Sequence, residues 1–149
     1  MPDVYSIEIR HNFETAHRLA SLGSPEKCRS IHGHSWWCTV RIEGHALDED
    51  GILVEFGAFK RAWRGWLDDH LDHHLVLQQD DPVGPALRAV CPEMRIHTVP
   101  FNPTTEELAR YLHERATAVL AAVLPAGVAA RVSAVHIQET AVNAASWSP

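Results

Sequence analysis

The chain alternates apolar and polar side chains twice within its first 43 residues, and such alternation ties the fold to a sheet with one buried face. The first stretch runs from Tyr5 through Ile7 and Ile9 towards Phe13 and Thr15. The second, Ser35 to Glu43, sets Trp36, Cys38, Val40 and Ile42 on one side. Leu47–Gly51 has turn chemistry, and Ile52–Glu55 reads as a short extended run. Phe56, Phe59, Trp63, Trp66 and Leu67 then recur at helical spacing, an aromatic stripe that reads as core packing. A second helix opens at Thr104-Thr-Glu-Glu107, a capping box in which the Thr104 hydroxyl takes the Glu107 amide and the Glu107 carboxylate reaches back. It continues through Leu108, Leu112, Val119 and Val123 until Pro125 and Gly127 stop it. Arg131–Glu139 alternates as a third strand, with Ala144–Trp147 as a short fourth. Residues 78–103 carry Pro82, Gly84, Pro85, Pro92, Pro100 and Pro103, which predict a long irregular connection with at most a short ordered piece around Leu87 to Val99. The expected fold is therefore α+β: an antiparallel four-stranded sheet in the order two strands, two helices, two strands, with both helices on one face. One domain over residues 1–149 is expected, since this length holds a core without staples.

Thirteen Lys and Arg against 19 Asp and Glu give a formal charge of −6, so no nucleic-acid or anionic-membrane footprint is visible. An anionic ligand must be met by local cations. The three cysteines, Cys28, Cys38 and Cys91, are an odd number without a signal-peptide pattern ahead of them, which points to a reducing, cytoplasmic setting. The longest uncharged stretch, Ala116–Ala130, is broken by Pro125 and Gly127 and is too short to span a membrane. The 11 histidines are left without a bulk explanation.

His32-Gly33-His34 opens the second strand, where residues two apart face the same side and two imidazoles converge. That suits zinc, and His17 at the far end of the first strand supplies a third ligand if the two strands pair. Hydrogen-bonded turn histidines are the competing reading. Cys28, between Lys27 and Arg29, has three readings: a thiolate base, an inert half-buried thiol, or a fourth metal ligand closing the site. Cys38 reads as core and Cys91 as a free loop thiol. Asp69-His-Leu-Asp-His-His74 sets carboxylates beside imidazoles, either an acid–base relay or a solvated stretch after a helix. Glu139 ends a strand, where it grips the N–H edge of a heterocycle or faces water.

The order of these features is more specific than any one of them. Phe13-Glu-Thr-Ala-His17-Arg-Leu, Cys28-x-x-x-His32-Gly-His34, Gly51-Ile-Leu-Val-Glu-Phe56, Leu71-Asp-His73, Asn102-Pro-Thr104-Thr-Glu106 and Val135-His-Ile-Gln-Glu139-Thr140 together resemble the 6-pyruvoyl-tetrahydropterin synthase family over nearly the whole chain. Three residues between Cys28 and His32 resemble its 6-carboxytetrahydropterin synthase branch, of the queuosine pathway. The resemblance implies zinc held by His17, His32 and His34, with Cys28 as proton acceptor and Asp72 and His73 as its relay. Glu139 would grip the pterin and join the relay, and Thr104 and Thr105 would line the ring pocket. It further implies a tunnelling fold, whose protomers join edge to edge into a barrel as trimers or hexamers, with His73 delivered by an adjacent subunit. The implied reaction is a lyase conversion of 7,8-dihydroneopterin triphosphate to 6-carboxy-5,6,7,8-tetrahydropterin, releasing triphosphate and acetaldehyde. The alternatives are the pyruvoyl product and, from another class, a non-catalytic zinc module with Cys28 as fourth ligand. Glu55 in place of a common Asp, the Trp36-Trp37 pair and the long 78–101 connection depart from the family pattern, and His70 and His74 read as a solvated pair.

Overall fold

The computed structural model describes residues 2–149. β1 (Tyr5–His17) and β2 (His32–Gly44) pair antiparallel over their full length, from Tyr5 opposite Gly44 to His17 opposite His32. Alternation buries Ile9, Phe13, Thr15 and His17 of β1 against Trp36, Cys38, Val40 and Ile42 of β2, and turns Glu8, Arg10, Trp37 and Arg41 outward. β5 (Ala130–Gln138) lies antiparallel on the other side of β2, and β6 (Ala144–Trp147) antiparallel on β5. α1 (Phe56–His70) packs on β1, while α3 (Thr105–Val123) packs on β5, β6 and α1.

The expected four-stranded, wholly antiparallel sheet with two helices needs correction. The sheet has six strands in the order β4-β3-β1-β2-β5-β6, with three α-helices. β3 (His74–Gln78) runs parallel to β1, and β4 (Ile96–Val99) parallel to β3, with α2 (Val83–Val90) between them in the chain. The stretch expected to be irregular with one short ordered piece holds both α2 and β4, and with β3 just ahead of it forms a strand–helix–strand crossover, the connection that parallel strands require. Two physical reasons hid it. Leu75, Val76 and Leu77 are buried in succession, and so short an apolar run carries no alternating signal. The prolines that argued against a helix sit where helices accept them: Pro82 is the N-cap of α2, and Pro85 falls in its first turn, where an amide has no intrahelical partner. His74, expected to be solvated, opens β3 and is half-buried, with Nδ1 2.9 Å from the Asp72 carbonyl.

Other local expectations are met in part. Ile52–Glu55 forms no ladder, yet Leu53 and Val54 are buried, and the Glu55 carboxylate caps α1 by accepting the Gly57 and Ala58 amides at 2.7 Å each. Glu in place of Asp keeps the cap. The Thr104 hydroxyl accepts the Glu107 amide at 3.2 Å as expected, whereas the Glu107 carboxylate turns away to Arg110 at 2.9 Å. In the aromatic stripe Phe59, Trp63 and Leu67 are fully buried, Trp66 is half-buried between Trp63 and His70, and Phe56 is exposed. Beyond the crossover, β3 covers only Thr15–His17 of the outer edge of β1, so Tyr5–Phe13 has no strand partner on that side among the described residues.

Burial of that stripe predicts a contrast. Phe59→Ala is expected to lower unfolding free energy by about 3–5 kcal/mol through lost contact and a cavity, and Phe56→Ala by less than about 0.5 kcal/mol, both read from urea denaturation. A second expectation concerns pH. β4 sets the His97 ring Nε2 2.9 Å from the Tyr111 hydroxyl, and burial, with His70 and His74 adding to it, lowers its pKa from 6.5 to about 4. Between those values the unfolded chain binds the proton more readily, so stability that is fully present above pH 6.5 is lost as pH falls towards 4. His97→Gln should make the acid limb of the stability curve shallower.

Candidate functional site

The ladder that closes β1 against β2 pairs His17 with His32 and Thr15 with His34, so three imidazoles meet at one end of the sheet. Ring centroids stand 4.5 Å apart for His17–His32, 5.0 Å for His32–His34 and 5.3 Å for His17–His34. The floor is Trp36, wholly buried and edge-on to both His17 and His34 at 5.2 and 5.3 Å. His17 Nδ1 lies 2.9 Å from the Pro103 carbonyl, and His32 Nδ1 lies 2.7 Å from the Ser30 carbonyl. A carbonyl only accepts, so each of these rings carries its proton on Nδ1 and keeps the Nε2 lone pair free, as metal-binding histidines do.

Glu139 completes the group. It follows β5 in a tight turn, its amide donating to the Asn143 carbonyl at 3.0 Å, and its Oε1 stands 3.4 Å from His17 Nε2 and 3.2 Å from His34 Nε2. Neither contact has hydrogen-bond geometry, and both Nε2 atoms are buried without a partner. Burial lowers the His17 pKa to about 4, with the bond to Pro103 opposing the shift. Burial likewise lowers that of His34, against the pull of Glu139. Neutral imidazoles are the form that binds a cation. One donor atom from each of His17, His32, His34 and Glu139 lies within 4.8 Å of all the others. Orphaned buried nitrogens, oriented rings and a carboxylate fit a divalent cation, and nitrogen donors with one oxygen are within the range zinc accepts. The sequence reading placed the three histidines but not the carboxylate beside them. Its signal was the pairing of β5 with β2, which sets Gln138 opposite Trp37 and leaves Glu139 at the His34 end.

Cys28 sits on a single 3-10 turn, Glu26–Arg29, and is half-buried. It is not among the residues whose donor atoms converge. Cys28 lines two adjoining cavities that share Cys28, Glu139 and Asn143. One, of about 370 Å³, also meets Lys27, His32 and His34, and the other, of about 390 Å³, meets His17, Thr104 and Thr105. Asp72 and His73 lie elsewhere in the protomer. Their turn grips β1: the Glu14 amide donates to Asp72 Oδ1 at 2.8 Å, and the His73 amide donates to the Glu14 carbonyl at 2.7 Å. His73 adopts a left-handed φ of 59°, its ring Nδ1 2.8 Å from Asp72 Oδ2 and its side chain 71% exposed. Burial pushes the Asp72 carboxyl up, but the Glu14 amide, His73 and Arg64 together outweigh it and hold it below its usual value. His73 faces a third cavity of about 610 Å³ that has only His34 in common with the two around Cys28. One protomer thus gathers His17, His32, His34, Cys28, Glu139, Thr104 and Thr105, and does not bring Asp72 and His73 to them.

The model of the family described as 6-pyruvoyl tetrahydropterin synthase matches residues 6–149. The chain belongs to that family. Among curated relatives, the 6-carboxy-5,6,7,8-tetrahydropterin synthase of Rickettsia felis is 32% identical over 103 residues, 69% of this chain and 73% of its own. The enzyme of the same name from Aquifex aeolicus is 32% identical over 91 residues, 59% of this chain and 56% of its own. These relatives carry the name of the branch to which the Cys28–His32 spacing pointed. Among solved structures, an uncharacterized protein of Wolinella succinogenes has a TM-score of 0.79 at 21% identity, over 97% of this chain and 98% of its own. The Caenorhabditis elegans 6-pyruvoyl tetrahydropterin synthase has a TM-score of 0.67 at 22% identity, over 99% and 96%. Both share the fold. No helix among the described residues is long and apolar enough to cross a membrane.

With His17, His32 and His34 as the ligands of one metal centre, purified protein is expected to hold about one divalent ion per chain, and His34→Ala less than about a tenth of that. Elemental analysis of both proteins checks it.

Proposed function

We propose that this chain is a zinc-dependent lyase that converts 7,8-dihydroneopterin triphosphate to 6-carboxy-5,6,7,8-tetrahydropterin, with release of triphosphate and acetaldehyde. The observation that carries the reading is the convergence of Cys28, Glu139 and the three histidines on adjoining cavities in a chain of this family, with the short Cys28–His32 spacing. Relatives named for that product support the choice over the pyruvoyl alternative.

His17, His32 and His34 would hold the zinc. Bound there, it would supply Lewis acidity that makes protons of the substrate side chain easier to remove. The chain's own residues account for the rest. The Glu139 carboxylate, fixed by the 139–143 turn, accepts from the N–H edge of the ring, and Thr104 and Thr105 border the same space. Cys28, as thiolate, takes a proton from the side chain, and Lys27 on the cavity wall meets negative charge on the phosphates. The Asp72–His73 pair returns protons: the carboxylate holds the ring by Nδ1 and leaves Nε2 to exchange them. The pterin ring gains the electrons that the side chain loses, so no nicotinamide or flavin is required. The products carry one oxygen more than the side chain brings, and one water is taken up.

Asp72 and His73 reach the Cys28 cavities only from a neighbouring copy, which agrees with the unpartnered Tyr5–Phe13 edge of β1. Edge-to-edge closure into a homo-oligomeric barrel, as a trimer or hexamer, covers that edge and completes the site. A cytoplasmic setting fits three free cysteines.

The test is product analysis. Metal-loaded protein given 7,8-dihydroneopterin triphosphate is expected to release acetaldehyde, and Cys28→Ala to keep its metal while losing at least about 100-fold in turnover. A pyruvoyl product without acetaldehyde moves the assignment to the sister branch. Loss of metal from Cys28→Ala makes the thiol a ligand.

A further inference from the structure

One buried ion pair has no part in the site described so far. The Asp81 carboxylate is shut off from solvent, and Arg18, the residue directly after His17, donates to it from Nε at 2.7 Å. Asp81 is itself fixed: its second oxygen accepts the Val83 amide at 3.0 Å at the start of α2, and its own amide donates to the Gln78 carbonyl at 3.0 Å. From that post the guanidinium reaches the other way, donating from Nη1 to the Arg29 carbonyl at 2.9 Å. Arg29 is the residue after Cys28. The next residue along, Leu19, donates its amide to the Cys28 carbonyl at 2.8 Å.

The remaining tethers of the Cys28 turn lie at its flanks, where Asn102 Nδ2 donates to Ser24 Oγ at 3.3 Å and the Ser30 carbonyl meets His32 Nδ1 at 2.7 Å. None of its four residues is buried, so apolar packing does not fix it, and Ser21–Gly23 and Pro25–Lys27 on the way in are exposed. Its link to the end of β1 is therefore the Leu19 amide and the Arg18 guanidinium. A planar fork serves Asp81 and Arg29 from two separate nitrogens held in fixed relation, which the single nitrogen of a flexible lysine stem does not reproduce.

We propose that Arg18 and Asp81 are a positioning pair that sets the Cys28 thiol relative to the His17, His32 and His34 cluster, and that the long 78–101 connection contributes to the site by delivering the Asp81 carboxylate. The inference rests on the reading of Cys28 as the proton-accepting thiol. The pair does not touch substrate. It acts through the turn, so its loss moves the thiol and leaves the metal in place, and a displacement of about 1 Å is enough to cost roughly 100-fold in rate.

The test uses the full chain with Arg18→Lys, Asp81→Asn and the two combined. Asp81→Asn keeps the shape and an acceptor for Val83, and carries the test if Arg18→Lys does not fold. Iodoacetamide labelling followed by peptide mass mapping reads Cys28 directly, and Cys91, at the end of α2, reports whether a variant has merely loosened that helix. Cys28 labelling is expected to rise about tenfold, as loss of one charge-assisted bond frees the turn, with Cys91 labelling and metal content unchanged. Turnover should fall about 10–100-fold with KM within about twofold, and the double variant should be no worse than the worse single one. A folded Arg18→Lys or Asp81→Asn whose Cys28 labels at the wild-type rate overturns the proposal, as does a parallel rise at Cys28 and Cys91. If the wild type releases no acetaldehyde, the proposed reaction fails on its own, and the labelling contrast still decides the pair.

Discussion

The pairing of β1 with β2 is the constraint on which the rest of this molecule depends. Side chains on a strand change face with every residue, so a slip of one position would set Ile9 and Phe13 on the opposite face from Trp36 and Val40 and split the core. The same slip would part His17 from His32 and His34. Core and candidate metal centre are thus fixed by one register. Trp36 marks the join: its ring stacks with Phe13 at 6.2 Å, its edge meets two of the imidazoles, and its Nε1 donates to the Thr15 carbonyl at 3.0 Å. Any change that moved the tryptophan would be felt on both sides.

Outside that ladder, short segments serve twice. Asn102–Thr105 gives its Pro103 carbonyl to His17, its Thr104 hydroxyl to the first turn of α3, and two threonines to the cavity wall. The turn after α1 pairs Asp72 with the Glu14 amide while holding His73 outward in a left-handed backbone. The turn between β5 and β6 closes a hairpin and aims Glu139 at the histidines. Each is a strand or helix boundary, where backbone groups seek side-chain partners and the geometry is over-determined.

What could be read from sequence divides along the same line. Alternation in β1, β2 and β5 and the periodic apolar faces of α1 and α3 announce themselves because each buries one side only. The crossover of β3, α2 and β4 did not. Leu75–Leu77 is buried without alternation, and Pro82 and Pro85 look like breakers until their place at a helix start is known. For the site, His32 and His34 are legible because two residues on one strand share a face, and His17 because pairing supplies the third. Glu139 beside them was not, since its proximity comes from β5 lying next to β2, a contact between residues about a hundred positions apart. Asp81 was invisible for a similar reason: nothing local distinguishes it from Asp80, yet only Asp81 is buried.

The carbonyls that orient His17 and His32 have a consequence for how the ion and the fold relate. Two of the three imidazoles are tethered to backbone that belongs to the strand end and to the start of α3, and the third is set by the ladder itself. The donors are therefore grouped by the fold, and Trp36, edge-on to two of them, belongs to the same core as Phe59, Trp63 and Leu112. In small zinc modules the ion is the core, and stripping it with a chelator unfolds the chain. Here the donors are held in place by backbone and ladder, so a cation bound among them could be withdrawn and replaced without dismantling the framework.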